Sequence, residues 1–115
     1  MPFSTAALDI GTDAVAAQAL RMRTHTGDPG SDGTENPGTG SAQPCSWDPS
    51  SGGVANLADP VPFTDLGADE AVAWYSVWDE ANTTFLGRGE VTTGDVAANA
   101  EGDYTFTTDT TLAFV

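Results

Sequence analysis

The strongest constraint on the folding of this chain is its charge. Seventeen Asp and Glu residues stand against three Arg and no Lys, which gives a formal net charge of −14 over 115 residues. At low ionic strength so many like charges repel one another across a compact domain, whereas near molar salt the Debye length falls to roughly 3 Å and the repulsion is screened. The composition predicts a halophilic protein, from a haloarchaeon or a virus of such a host. The alternative is an acidic mesophilic protein whose charges serve solubility.

Composition and length also limit the functions open to the chain. Three Arg residues cannot form the basic surface that nucleic-acid binding needs. No run of about eighteen apolar residues occurs, which predicts no membrane insertion. Residues 1–23 lack the basic and apolar regions of a secretory signal, which predicts synthesis in the host cytoplasm. Cys45 is the single cysteine, and we expect a small buried residue rather than a nucleophile.

The N-terminal part is predicted to form a short helix and then a strand. Residues 1–18 are the helical segment, which Ser4 and Thr5 can cap and which Gly11 is expected to shorten or break. From Ala19 apolar and polar side chains alternate, and this pattern predicts the first strand.

A long segment rich in Gly and Pro follows at residues 26–44. It contains the turn sequences Asp28-Pro29-Gly30 and Asn36-Pro37-Gly38. A loop of this length is unusual inside a compact domain, so it is predicted to be either a functional projection or a mobile segment.

Short strand-like segments separated by turns fill the rest of the chain. The clearest is 71–78, whose alternate residues form two largely apolar faces. One face carries Val72, Trp74, Ser76 and Trp78, and the other carries Ala71, Ala73, Tyr75 and Val77. Two apolar faces predict either a central strand covered on both sides or a strand in a subunit contact. Other extended segments are predicted at 46–47, 61–66, 84–92, 103–107 and 110–115.

This arrangement predicts an all-β fold. Several short strands with regularly spaced turns are typical of an antiparallel β-sandwich, here jelly-roll-like with a short N-terminal helix. A chain of this length holds one hydrophobic core, so residues 1–115 are assigned to a single domain. Gly87 and Gly89 are the expected positions of a β-bulge.

Four segments between residues 24 and 90 form an ordered set of motifs. They are Thr24-His25-Thr26-Gly27-Asp28-Pro29-Gly30 with Gly33 and Glu35 after it, Trp47-Asp48-Pro49-Ser50-Ser51-Gly52-Gly53, Trp74-Tyr75-Ser76-Val77-Trp78-Asp79, and Thr84-Phe85-Leu86-Gly87-Arg88-Gly89-Glu90. In this order they resemble a family of small virion proteins of tailed viruses, usually described as tail-fibre-like or minor tail proteins. The resemblance implies a helix before a strand that ends in a His-Thr-x-Asp-Pro-Gly turn, and a later pair of strands. The match departs at residues 36–44, where an aromatic and a basic residue common in the family are missing.

His25 is the one histidine, and it lies beside hydroxyl and carboxyl groups. With Thr24 or Thr26 and Asp28 it could suggest a nucleophilic triad. The Gly-flanked nucleophile and the oxyanion-hole motif that acyl transfer needs are missing around it. A structural role for His25 in the turn is therefore favoured.

Carboxylates provide the remaining candidates for chemistry. Asp28, Asp32 and Glu35 could converge on Ca²⁺ or Mg²⁺, although their spacing does not match an EF-hand loop. In so acidic a chain such clusters arise by chance, and no metal or other cofactor is predicted. Asp79 and Glu80 could act as an acid/base pair on a glycoside, but nothing selects them from the seventeen carboxylates. No catalytic residue and no enzyme activity are predicted.

The three tryptophans allow two interpretations. Trp47, Trp74 and Trp78 could form a platform on which a sugar stacks, as in a receptor-binding module. Trp at alternating strand positions belongs more often to the core. Core packing is the favoured interpretation.

Charge and resemblance together predict a virion structural protein of a halophilic tailed virus, tail-associated and assembled as a symmetric oligomer. Its predicted partners are copies of itself and other virion proteins, and its predicted location is the virion. Two alternatives stay open at this point. One is a capsid turret or decoration protein, and the other is a module that binds host surface glycan through exposed aromatic residues and the long loop.

Overall fold

The computed structural model describes residues 3–92 and 94–113. One helix, α1 (Thr5–Ala16), precedes eight strands. The strands are β1 (Arg21–His25), β2 (Gln43–Pro44), β3 (Val54–Asn56), β4 (Val61–Phe63), β5 (Trp74–Trp78), β6 (Phe85–Glu90), β7 (Tyr104–Phe106) and β8 (Thr111–Ala113). The two short strands β2 and β3 were not predicted. The last two residues of the strand predicted at 110–115 lie outside the described residues.

Helix α1 is continuous, so the expectation that Gly11 would break it was wrong. Ser4 caps the helix, because its side chain accepts a hydrogen bond from the Ala7 amide. A glycine inside a helix costs about 1 kcal/mol relative to alanine. Contacts with β3 and β8 offset that cost. The fully buried Thr12 hydroxyl donates to the Gly53 carbonyl at 2.7 Å.

The strands form one larger sheet and two ribbons, all antiparallel. The sheet has the order β2-β1-β5-β6, and the ribbons pair β3 with β8 and β4 with β7. The prediction of an all-β, antiparallel, sandwich-like fold with a short N-terminal helix is confirmed. A jelly roll has two packed sheets, whereas here β3, β8, β4 and β7 form two separate ribbons beside one four-stranded sheet.

The core lies between the sheet and the ribbons. Met22, Tyr75 and Val77 line the inner face of the sheet, and they pack with Phe63 and Phe106 from the β4–β7 ribbon. The Phe106 ring meets the rings of both Phe63 and Tyr75 edge to face, with centroids 5.7 Å apart in each pair.

Strand β5 lies between β1 and β6, and both of its faces are covered by other parts of the chain. This agrees with the prediction of a central strand rather than a strand in a subunit contact. Its ladder begins at Trp74 rather than Ala71, because residues 71–73 hydrogen-bond instead to the loop at 96–98 and to the ends of β1 and β6. This irregular stretch turns Val72 into the core with Tyr75. The prediction that Val72 shares a face with Trp74 was therefore wrong.

The predicted long loop spans residues 26–42, because Gln43 and Pro44 pair with β1. Two backbone bonds, from Thr26 to Asn36 and from Gly38 to Thr24, close its first half onto the end of β1 at 2.9 Å each. Its second half is tied to Glu70 and Asp65 by Thr39 and Ser41. The loop is thus bonded to the body of the domain along its length.

One bulge interrupts the β5–β6 pair. Val77 lies opposite Gly87 and Trp78 opposite Phe85, which leaves Leu86 as the extra residue. The bulge lies directly beside the predicted Gly87.

Candidate functional site on the outer face of the sheet

The sheet face opposite the core, here called the outer face, collects the most distinctive side chains of the chain. On β1 it carries Arg21, Arg23 and His25, and on β5 and β6 it carries Trp74, Ser76, Trp78, Arg88 and Glu90, as the strand register shows. All three Arg residues and the one His of the sequence therefore lie on this face.

A chain of three buried polar groups runs across the outer face. The Trp78 indole Nε1–H donates to the Ser76 Oγ at 2.7 Å, and Ser76 lies 2.7 Å from His25 Nε2. His25 Nδ1 lies 2.9 Å from the Glu35 carbonyl of the long loop. His25 and Ser76 are 1% and 0% exposed, so these bonds replace water that the groups have lost.

The partners of His25 fix its tautomer. A carbonyl only accepts, so Nδ1 must carry the proton that is donated to Glu35. Nε2 then accepts from the Ser76 hydroxyl, whose oxygen in turn accepts from Trp78. Every donor in this order has an acceptor, which favours the neutral imidazole. Burial lowers the pKa of His25 below 6.5, with a smaller lowering from Arg23, while the backbone at Glu35 and Asn36 acts in the opposite direction.

The long loop forms a cover over this chain of bonds. Pro29, Gly30 and Gly33 of the loop are buried. Gly33 has φ +77° and lies directly against the Phe85 ring, so no side chain fits there. The Phe85 ring packs on Trp78 with centroids 5.5 Å apart. Loop, Phe85 and Trp78 form a second, smaller core outside the sheet.

The three arginines have different surroundings. Arg88 forms an ion pair with Asp28 at 3.0 Å, which is the one ion pair within residues 3–92 and 94–113. The Arg23 guanidinium lies over the Trp78 ring, 4.7 Å from its centroid. The Nε of Arg23 donates to Asn82 Oδ1, and the Nε of Arg21 donates to the Glu80 carbonyl.

The structure does not assemble the triad considered for His25. Thr24 points to the opposite face of β1, where its buried hydroxyl has no hydrogen-bond partner among the described residues. Thr26 lies close to the Asn36 carbonyl, and Asp28 is held by Arg88 and the Gly30 amide.

The side-chain partner of His25 is Ser76, which sequence reasoning missed. A lone hydroxyl on an apolar strand was the available signal. The strand register that brings it to His25 is not readable from one sequence.

The three carboxylates considered as metal ligands each contact a different group of the protein. Asp28 binds Arg88, and Asp32 accepts hydrogen bonds from the Thr34 hydroxyl and amide, which lower the pKa of its carboxyl group. The Glu35 carboxylate lies against Gly30. In the described part of the chain no three His, Cys, Asp or Glu side chains are grouped to hold a metal ion.

Asp79 and Glu80, which were considered as an acid/base pair, have separate hydrogen-bond partners at the β5–β6 turn. The Asp79 carboxylate accepts from the Thr84 and Thr83 amides at 3.0 and 2.8 Å, and these bonds lower its pKa. Glu80 contributes its backbone carbonyl to Arg21. Asp79 therefore shapes the turn.

The tryptophans do not form one platform. Trp78 is buried beneath the loop. Trp47 packs against the main core, and its indole donates to the Ala19 carbonyl at 2.9 Å. Trp74 is half-buried at the far end of β5. Trp47 and Trp78 are therefore packing residues, as the favoured interpretation predicted.

Two concave regions are bordered by residues of the inner face of the sheet. A groove of about 240 Å³ between α1, β6 and β8 is lined mainly by aliphatic side chains and Arg88. A smaller one of about 160 Å³ is bordered by Tyr75 and Tyr104. Both phenols donate to backbone carbonyls, of Thr111 and Asp95. Burial raises the pKa of each, so both stay protonated at neutral pH.

Cys45 is buried as predicted, and its thiol is expected to react slowly. The Sγ donates to the Ala19 carbonyl at 3.2 Å, and burial raises the pKa of the thiol to about 11. The thiolate is the reactive form. In concentrated salt at pH 8, a disulfide reagent such as DTNB should react at least about a hundredfold more slowly with the folded protein than with the urea-unfolded protein. Equal rates would contradict this burial.

Acid is expected to destabilise the fold through His25. Because its pKa is lowered in the folded state, the unfolded chain binds more protons once the pH falls below 6.5. The stability that the neutral ring contributes is complete above that pH and declines as the pH falls through the lowered pKa. Urea unfolding between about pH 5 and 7 should show this slope for the wild type and lose it in His25→Gln. Identical slopes in both proteins would refute the assignment.

Comparisons with models of known protein families, with curated proteins and with solved structures find no match for this chain. Across residues 3–92 and 94–113, no helix has the length and apolar character needed to cross a membrane.

Proposed function

We propose that this chain is a structural protein of the virion of a tailed virus with a halophilic host, a tail-associated part that assembles in several copies. The observation that carries the proposal is the charge of the surface. A net charge of −14 is combined with one ion pair among the described residues, so most carboxylates have no nearby cation. Such a surface suits a solution in which salt screens the repulsion.

The placement of the four resembling segments adds support. The segments that begin at Thr24, Trp74 and Thr84 meet on the outer face, through the bonds from His25 to Ser76 and from Arg88 to Asp28 and through the packing of Phe85 on Trp78. These motifs therefore build one structural unit. The segment that begins at Trp47 lies elsewhere and is held by α1, where Asp9 accepts hydrogen bonds from Ser50 and Gly53.

The use of the reactive groups also favours a structural role. His25 and Ser76 hold the loop cover in place, and Cys45 is bonded to a backbone carbonyl. These are the residue types that most often serve as nucleophile and base. Here their hydrogen bonds hold strands and loop together.

The contacts between copies must be sought away from β5, since both of its faces are covered within the chain. Large apolar side chains are exposed at Phe3, Ile10 and Val96, with 62%, 71% and 62% of their surface accessible. Strands β2 and β6 form the two edges of the sheet. High salt strengthens apolar contacts and screens the repulsion between acidic copies, so assembly is expected to increase with salt.

The mass of the purified protein in solution tests the proposal. Light scattering at about 3 M and about 0.1 M NaCl, with circular dichroism on the same samples, compares screened and unscreened repulsion. We expect a closed oligomer at high salt that dissociates or unfolds at low salt. A folded monomer of unchanged mass in both solutions would overturn the proposal. A tail, turret or decoration position predicts the same result, and the proposal favours the tail because of the resemblance.

A further inference from the structure

We propose that Arg21 and Arg23 form a binding site for carboxylates, and that the ligand is the acidic surface of a second copy of this chain, bound head to tail. This inference rests on the proposed function, because it names the contact through which copies would assemble. The first observation is the distribution of charge. A chain with seventeen carboxylates places all three of its Arg residues on one sheet face.

The two guanidinium groups are held in place through one nitrogen each. The Nε of Arg21 donates to the Glu80 carbonyl at 3.2 Å, and the Nε of Arg23 donates to Asn82 Oδ1 at 3.1 Å. The Trp78 ring lies against Arg23. These contacts lower the freedom that each side chain would lose on binding a ligand.

The binding ends of both groups have no carboxylate partner within the described chain. A guanidinium has five N–H donors, and the terminal ones form the fork that binds a carboxylate through two bonds. No carboxylate lies within 4 Å of Arg21 or Arg23 among residues 3–92 and 94–113. Arg88 on the same face differs from Arg21 and Arg23, because its guanidinium already forms an ion pair with Asp28.

The position of the pair suits a ligand with more than one carboxylate. Arg21 and Arg23 are two residues apart on one strand, so their side chains leave the same face roughly 7 Å apart at their Cα atoms. Both are partly exposed. The charged residues that follow β5 near the arginine pair are Glu80, which is exposed, and Asp79. The Asp79 carboxylate already accepts hydrogen bonds from amides of the β5–β6 turn.

A second copy is the occupant that the charges favour. Salt screens the repulsion between copies at a distance, but carboxylates brought into direct contact would still face like charges across this acidic surface, so a stable contact favours a place where the charges are locally opposite. Arg21 and Arg23 provide the one pair of cations in the described chain without a carboxylate partner.

The matching acidic surface lies at the other end of β5. Arg21 pairs with Trp78 at the C-terminal end of this strand, whereas residues 71–73 at its N-terminal end join the loops at 64–70 and 94–103. Asp69, Glu101 and Asp103 are exposed on these loops, and no hydrogen bond or ion pair within the described residues occupies their carboxylates.

The two ends of β5 thus lie beside complementary groups. A two-fold contact centred on the arginines would place Arg21 and Arg23 of one copy against the same residues of the other, which is unfavourable. A head-to-tail contact brings the arginines of one copy to the acidic end of the next, and such heterologous contacts generate rings or filaments.

Light scattering at about 3 M NaCl on arginine variants tests the inference. The double variant Arg21→Gln/Arg23→Gln should remain folded by circular dichroism. We expect it to need a protein concentration about tenfold or more above that of the wild type for assembly, as the loss of two bidentate contacts implies. The matched control Arg88→Gln removes the third arginine, which is already paired, and should assemble like the wild type.

Two further variants keep the test decisive. If the Gln pair fails to fold, Arg21→Lys/Arg23→Lys keeps both charges but loses the fork, and should assemble more weakly than the wild type. On the acidic side, Asp69→Asn/Glu101→Gln/Asp103→Asn should weaken assembly as well. Unchanged assembly of this acidic variant would overturn the head-to-tail arrangement.

The outcomes separate the two proposals. If the wild type assembles and the folded arginine variants assemble equally well, the inference fails while the proposed function stands. If the wild type is monomeric at high salt, the proposed function fails, and the inference fails with it.

Discussion

Replacing Ser76 with Ala is expected to lower the free energy of unfolding by about 3 kcal/mol. The hydroxyl is the shared partner of Trp78 Nε1–H and His25 Nε2, and all three groups are buried. Its loss leaves one buried donor and one buried acceptor without a partner, and each costs about 1–3 kcal/mol. Urea unfolding at constant high salt, followed by tryptophan fluorescence, measures the change.

A matched substitution provides the control for this prediction. Ser46→Ala removes a hydroxyl from an exposed position, so its effect should stay within about 0.5 kcal/mol. If Ser76→Ala is as mild as Ser46→Ala, the bonded chain across the outer face contributes no stability.

Replacing Gly33 with Ala is expected to open the loop cover and to cost about 3 kcal/mol. Gly33 has φ +77°, where a side chain costs about 1–2 kcal/mol, and its Cβ would overlap the Phe85 ring. Overpacking of this kind costs a further 1–3 kcal/mol or so. The same unfolding experiment measures the loss. In a Trp47→Phe/Trp74→Phe background, increased quenching of Trp78 fluorescence by acrylamide would report that the cover has moved.

Gly52→Ala separates the two causes. Gly52 has φ +63°, but no atom lies within 4 Å of the place where its Cβ would be. The control therefore carries the backbone cost alone, about 1–2 kcal/mol. Equal losses in the two variants would mean that Gly33 does not pack against Phe85 in solution.

Patterns that act over a few residues were predictable from the sequence. Alternation located β5 and the two faces of residues 74–78, and the capping residue Ser4 located the start of α1. These features depend on neighbours along the chain, which a single sequence displays. Gly11 was judged by its helix propensity, and contacts between α1 and strands β3 and β8 outweighed that propensity.

Pairings between distant segments were not predictable. Alternation tells which residues share a face, but not which strand lies beside it. The ribbon of β3 with β8 joins Val54 to Ala113, and neither strand is long enough to carry a clear pattern of its own. The same limit hid the meeting of His25 with Ser76.

The role of the long loop as a cover was hidden for the same reason. Its Gly and Pro content was enough to predict a loop at residues 26–44, of which 26–42 form the loop in the structure. Its place over the outer face depends on Phe85, which lies on β6 and meets Gly33 only once the chain has folded. No pattern of neighbouring residues connects these two positions.

We propose that this fold depends on salt to screen its own carboxylates. The most direct test is the free energy of unfolding measured by urea titration at NaCl concentrations from about 0.1 to 3 M, where the Debye length falls from about 10 Å to below 3 Å. The matched control is a variant in which five exposed carboxylates without hydrogen bonds among the described residues are made neutral. Its changes are Asp48→Asn, Asp59→Asn, Glu90→Gln, Asp95→Asn and Asp109→Asn, which leave the residues proposed for the contact between copies unchanged.

The control separates screening from the general strengthening of apolar contacts by salt, because only screening depends on the number of carboxylates. We predict that the stability of the wild type rises steeply with salt and that the variant gains less and is the more stable of the two at about 0.1 M. Equal stability of the wild type at the two ends of this salt range, or the same rise in both proteins, would contradict the account.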